Sequence, residues 1–160
     1  MLNNFQFFNP PKSLDKSLKD LKTKSAIFWE RQGDTMAIKL FKFIAKNVPA
    51  YQKLLKEHGI NPNSIKSVAD FKKLPITDKD TYLRKFKFSD LLPYRDFSKI
   101  TTFSATSGST GESFYFPRGE EHDAQYAYVA ELFLRNQFEI DQHKTLGIIG
   151  FGLGIWIMFI

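Results

Sequence analysis

Five small residues in a row, Ser107-Gly108-Ser109-Thr110-Gly111, interrupt a stretch that is otherwise β-branched and aromatic. Ile100-Thr101-Thr102-Phe103 precede them and Phe114-Tyr115-Phe116 follow. This pattern predicts strand, loop, strand: a β-hairpin with a glycine-rich tip. Glycine admits positive φ and lets a ligand approach the backbone closely. A concave run of backbone N–H groups, joined by Ser and Thr hydroxyls, suits phosphate oxygens. The loop therefore reads as a cradle for an anionic group, with a mobile surface turn as the alternative. A Walker A loop is excluded, since no glycine stands at the required spacing before a lysine and Glu112-Ser113 follows Gly111. A serine nucleophile elbow is excluded because Gly108 directly precedes Ser109.

With 160 residues, 42% hydrophobic and 25% charged, the chain fits one globular domain with a real core. It has no cysteine, so neither a disulfide framework nor a thiolate zinc site is available. Residues 1–11 lack a basic start and a small-residue cleavage site, which points to no signal peptide and a cytoplasmic protein. The net charge of +6 is uneven. Residues 1–99 hold 20 Lys/Arg against 10 Asp/Glu, and residues 100–160 hold 3 against 7. A basic half can attract nucleic acid or a polyphosphate. Its lysines recur along amphipathic helices, however, which is the pattern of a solvated face and argues against a nucleic-acid partner.

In chain order, Phe5, Phe7 and Phe8 before Pro10-Pro11 form an aromatic, extended arm. Leu14, Leu18 and Leu21 predict a helix over residues 13–32 that Gly33 ends. Asp34 or Thr35 then caps a helix whose core face is Met36, Leu40, Ile44 and Val48 with Ala37 and Phe41, while Lys39, Lys42 and Lys46 point outward. Pro49 interrupts it, and residues 51–58 form a short helix ended by Gly59, with His58 as a capping charge. Asn61-Pro62-Asn63 is a turn, and residues 67–73 are a helical turn carrying Val68 and Phe71. Pro75 holds Leu74 extended, and Thr77 is expected to cap a helix over residues 78–86. After the hairpin, a helix starts at residues 119–123 and runs to about Gln137, with Ala127, Ala130, Leu134 and Phe138 as its stripe, joined by Val129 and Phe133.

Residues 145–149 predict a short buried strand, followed by the glycine turn Gly150-Phe151-Gly152-Leu153-Gly154. A dinucleotide fingerprint fails here because Ile155 stands where the third glycine belongs. The last fifteen residues, 146–160, carry no charge but include four glycines, which argues against a transmembrane segment. Their apolar surface calls for cover by the rest of a larger enzyme or by a partner chain. His58, His122 and His143 show no metal-ligand spacing, so no metal site and no catalytic residue is assigned.

The loop Thr106-Ser107-Gly108-Ser109-Thr110-Gly111 resembles the phosphate loop of the adenylate-forming superfamily, which includes the acyl-CoA synthetases, luciferases and peptide-synthetase adenylation domains. A longer series resembles the phenylacetate–CoA ligase and capsule-biosynthesis branch. That branch has a helix ending in V-P-x-Y, a second helix, a G-[IV]-x-P turn, a short helix and an L-P-[IL]-[TS]-K-like segment before the loop. Here these stand as Asn47-Val48-Pro49-Ala50-Tyr51, Gly59-Ile60-Asn61-Pro62 and Leu74-Pro75-Ile76-Thr77-Asp78-Lys79. The order and spacing hold over residues 38–117.

The resemblance implies an α/β fold, the N-terminal part of the adenylate-forming enzyme. Residues 1–99 would be a mainly helical lead-in, and residues 100–160 the hairpin phosphate loop, a helix and a core strand, all within a partial AMP-binding domain. It implies ATP with Mg²⁺, a small carboxylic acid substrate, an acyl-adenylate, and transfer of the acyl group to a thiol such as coenzyme A. Ser107, Ser109 and Thr110 would supply hydroxyls to the β- and γ-phosphates, and Gly108 and Gly111 the backbone approach. Phe151 and Trp156 would stand beside the acyl pocket or pack in the core. Two alternatives remain: an acyl-protein synthetase of the same superfamily, and a non-catalytic binding module. The chain departs from the family pattern at Glu112-Ser113-Phe114, where a proline and a nearby lysine are usual. Glu112 would stand beside a triphosphate, a repulsion for Mg²⁺ or Arg118 to offset. The remaining adenine- and ribose-binding motifs and the catalytic lysine of family members have no counterpart within these residues, so the 160 residues are expected not to complete catalysis alone.

Overall fold

The computed structural model describes residues 13–106, 113–148 and 150. They divide into two units, one of residues 24–97 and one of residues 13–23 together with 98–106, 113–148 and 150.

In the first unit, Ser25 begins α2 (Ala26–Asn47), with backbone angles of −72° and 160° and a side chain that accepts a hydrogen bond from the Phe28 N–H. The helix runs straight through Gly33, which the sequence reading had placed at a helix end. A glycine inside a helix costs only about 0.5–1 kcal/mol relative to alanine. Burial of Phe41 and Ala45 further along the same helix outweighs that. The preceding helix, α1 (Leu14–Thr23), therefore stops nine residues earlier than expected, at the Ser25 cap. The buried stripe is also rotated from the expected one. Phe41, Ala45 and Val48 are buried, whereas Met36 and Leu40 are 38% and 43% exposed. Lys39, Lys42 and Lys46 are exposed, as expected.

Val48, held extended (φ −105°, ψ 109°) before Pro49, ends α2 and starts α3 (Pro49–Glu57), with proline at the first helical position. At the far end Gly59 has φ 63°. The Gly59 N–H donates to the Lys56 carbonyl (3.1 Å) and the Ile60 N–H to the Leu55 carbonyl (2.9 Å). This is a Schellman cap, and Ile60 supplies its hydrophobic contact by packing on the cluster that contains Leu55. His58 Nδ1 lies 2.9 Å from the Leu54 carbonyl, the capping contact expected of it. Phe41, Ala45, Leu55 and Ile65 form the core of this unit, with Tyr51, Phe71 and Leu74 packed around them.

The chain then makes short turns at Pro62–Ser64, Val68–Lys73 and Lys79–Leu83. The last is a single wide helical turn capped by Asp78, not Thr77. The Thr81 N–H donates to Asp78 Oδ1 (2.6 Å), and the Asp78 N–H donates back to Thr81 Oγ1 (3.1 Å). A carboxylate placed to make this reciprocal pair displaces the hydroxyl one residue earlier. α4 (Phe88–Leu91) closes the unit with the turn Pro93–Arg95.

In the second unit β1 (Thr102–Ala105) pairs antiparallel with β2 (Tyr115–Arg118). Gly119 then caps α5 (Glu120–Phe138). α1 packs on α5: the Tyr128 hydroxyl and Ser17 Oγ are 2.5 Å apart, and Arg135 reaches Asp15 at 3.8 Å. No residue of α5 is fully buried, and Val129, Phe133 and Phe138 are more than half exposed. Residues 145–148 do not form the expected strand; Leu146 and Ile148 are exposed, and neither β1 nor β2 pairs with them. A strand is made by its edge partner. Among the described residues no helix is long and apolar enough to cross a membrane.

Candidate functional site

The hairpin that carries the glycine-rich loop is closed by one residue pair. The Thr106 N–H donates to the Phe114 carbonyl (3.0 Å), and Thr106 Oγ1 accepts from the Phe114 N–H (3.0 Å). The threonine hydroxyl thus extends the ladder one step past β1. The ring of Phe114, just before β2, meets that of Phe116 edge-on at 4.9 Å. Of the six candidate phosphate-binding residues, Thr106 is at this neck. Ser107, Gly108, Ser109, Thr110 and Gly111 lie outside the described residues, as do Glu112, Phe151 and Trp156.

At the other end of the hairpin Arg118 is only 6% exposed. The register pairs it with Thr102, so Ser104 is its diagonal neighbour on the same face. Its Nη1 donates to Ser104 Oγ (3.1 Å), and Ser104 has no exposed surface. Its Nη2 is paired with the Asp123 carboxylate in the first turn of α5. The guanidinium carbon lies 5.9 Å from the centre of the Tyr126 ring. The Arg118 carbonyl accepts from both the Thr101 N–H (2.8 Å) and the Thr101 hydroxyl (3.3 Å). Arg118 Nε is buried and has no acceptor among the described residues.

Arg118, the cation the sequence offered to offset Glu112, is paired with Asp123 and stands roughly 13 Å along the strand from Phe114 at about 3.3 Å per residue. The sequence pointed to Arg118 only as a nearby cation and missed Ser104 and Asp123 altogether. The available signal was a serine in the strand two positions before Thr106, in register to share a face with Arg118. His122, at 3.9 Å from Asp123 and with its ring against Tyr126, belongs to the start of the helix.

Cavities of ligand size occur in both units. The one in the second unit, about 520 Å³, opens at the α5 N-terminus between Lys99, Gly119, Glu120, Glu121 and His122. Its two glutamates oppose a triphosphate there. The one in the first unit, about 630 Å³, is an open groove lined by Phe41, Phe43, Tyr51, Phe71 and Tyr82 among other apolar residues. Burial, with the neighbouring Tyr51, pushes the Tyr82 phenol up to about 12, and burial also raises that of Tyr51. Both stay neutral at ordinary pH, so this groove is uncharged. Among the described residues no His, Asp or Glu cluster could hold a metal ion.

The chain is similar to a phenylacetate-coenzyme A ligase of Aromatoleum evansii, with 34% identity over 67 residues. The matched stretch is 42% of this chain and spans 15% of the length of that relative. No protein-family profile matches the chain.

Proposed function

We propose that the chain is part of an ATP-dependent ligase of the adenylate-forming superfamily, which joins a small carboxylic acid to a thiol. The partial identity with a phenylacetate-coenzyme A ligase carries this reading. The ordered series from Val48-Pro49-Ala50-Tyr51 through Gly59-Ile60-Asn61-Pro62 to the TSGSTG loop supports it. The substrate acid's carboxylate oxygen attacks the α-phosphorus of MgATP and pyrophosphate leaves. The acyl group then passes from AMP to the coenzyme A sulfur. Negative charge grows on the pyrophosphate as the α–β bond breaks, and donors already aimed at it lower the barrier. Ser107, Gly108, Ser109, Thr110 and Gly111 are the donors in this reading, and Thr106 holds the neck from which they extend. The two units are in this account part of the N-terminal region of the adenylate-forming fold.

The test is ATP–pyrophosphate exchange by the full-length product of the reading frame, offered phenylacetate and then pooled aryl, fatty and hydroxy acids. Acid-dependent exchange that disappears on replacing Thr110 and Gly111 is the expected result. Absence of exchange with every acid overturns the reading.

A further inference from the structure

We propose that the apolar groove of the first unit is a binding site for an uncharged aromatic molecule that carries a hydrogen-bond acceptor, such as an aryl ketone or ester. The inference goes beyond the ligase reading and does not depend on it. Five rings line the groove, those of Phe41, Phe43, Tyr51, Phe71 and Tyr82. They come from four separate stretches of the unit: α2, α3 and the turns Val68–Lys73 and Lys79–Leu83. Phe41 meets Tyr51 edge-on at 6.2 Å and Phe71 at a tilt at 5.8 Å, and Tyr51 meets Tyr82 edge-on at 6.2 Å. Rings set at angles to one another offer both faces and edges, which is what an aromatic ligand packs against. The volume of about 630 Å³ lies within the range of small-molecule sites.

The polar groups decide the ligand's chemistry. No Asp, Glu, Lys, Arg or His lines the groove. An ionised ligand would lose hydration there and meet no counter-charge, which disfavours carboxylates, phosphates and ammonium groups alike. What the groove offers instead is two phenol donors. Burial raises both phenols, so their hydroxyls keep their protons, and neither has a hydrogen-bond partner among the described residues. Tyrosine hydroxyls withdrawn from water normally find a partner. A ligand carbonyl or ether oxygen supplies the missing acceptor, and the surrounding rings take its apolar body.

The experiment titrates the full-length protein with benzophenone, diphenylmethane and 4-benzoylbenzoate, followed by calorimetry. All three carry the same pair of rings; the second lacks the acceptor and the third adds a carboxylate. Benzophenone is expected to bind about tenfold more tightly than either of the others. Tyr51→Phe combined with Tyr82→Phe removes the donors and keeps the rings. That double variant is expected to bind benzophenone about tenfold more weakly and diphenylmethane as before. Its melting temperature is expected to match the parent's, since the fold loses no hydrogen bond. Ala37→Trp fills the α2 side of the groove and is expected to abolish binding; should it unfold the protein, the tyrosine pair still decides. Absence of binding overturns the proposal, as does equal affinity for ketone and hydrocarbon or tighter binding of the carboxylate. So does a double variant that binds benzophenone like the parent or loses both neutral ligands equally. A dimer of the parent, seen in sedimentation and dissolved by Ala37→Trp, assigns the groove to a second copy and overturns it too. None of these readouts uses ATP, so their failure leaves the ligase reading standing, and failure of pyrophosphate exchange leaves this site standing.

Discussion

Gly119 is a glycine for room, not for backbone angle. Its φ of −134° and ψ of 171° suit any residue, but a Cβ there would come within 2.4 Å of the Lys99 carbonyl oxygen. That oxygen is backbone and cannot swing aside. Gly119→Ala is therefore expected to lower the stability of the second unit by about 1–3 kcal/mol, read by urea unfolding followed at its aromatic residues. Gly59 is the opposite case, with open space around it and φ 63°, and its role was plain from the sequence because it follows a run of helical periodicity. Glu112 is the residue on which the proposed chemistry turns. The cation the sequence offered to offset it, Arg118, is paired with Asp123. Two unit charges 4 Å apart repel by about 1 kcal/mol even in water, equivalent to a factor of about five. Glu112→Gln should lower KM for MgATP by at least that factor in the exchange assay, and an unchanged or higher KM would show that the carboxylate faces away from the nucleotide.

At the scale of elements, the turns of the first unit are capped by side chains whose pairing can be titrated. The Lys73 ammonium at 2.6 Å, followed by the Lys66 N–H and the Ser67 hydroxyl and N–H at 2.9 to 3.1 Å, holds the Asp70 carboxyl well below the usual carboxylate range. A depressed carboxyl pKa contributes stability that is present above the ordinary value of 3.8 and is lost as pH falls toward the lower folded value. Asp70→Asn is expected to flatten the loss of stability below about pH 4, seen as a gap in urea midpoint from the parent that narrows as pH falls from 4 toward 2. Elements of this kind were partly legible. The Ser67–Asp70 box and the Gly59 cap are local, and local residues decide them. The run of α2 through Gly33 and the cap at Asp78 were not legible. The first depends on burial of Phe41 and Ala45 further along the helix, and the second on which of two adjacent oxygens meets the Thr81 N–H.

For the whole chain, the charge asymmetry survived as a solvated face, with Lys39, Lys42 and Lys46 exposed along α2. The division near residue 98 places α1 with the later residues, through Tyr128 to Ser17 and Arg135 to Asp15. Nothing within residues 14–23 announces that pairing, since its partners lie more than a hundred residues on. The same limit applies to residues 145–148, apolar enough to read as a strand but unpaired with β1 or β2. The sequence by itself determined the paired strands of the hairpin, the helix that follows, the break at Pro49 and the Gly59 cap, because φ restrictions and alternation act over a few residues. Only the tertiary structure decided which face of α2 is buried, which helix α1 joins, and that Arg118 turns inward to Ser104 and Asp123 instead of toward the loop. Those outcomes depend on which distant groups can satisfy a buried surface or a buried charge, and no local pattern encodes that choice.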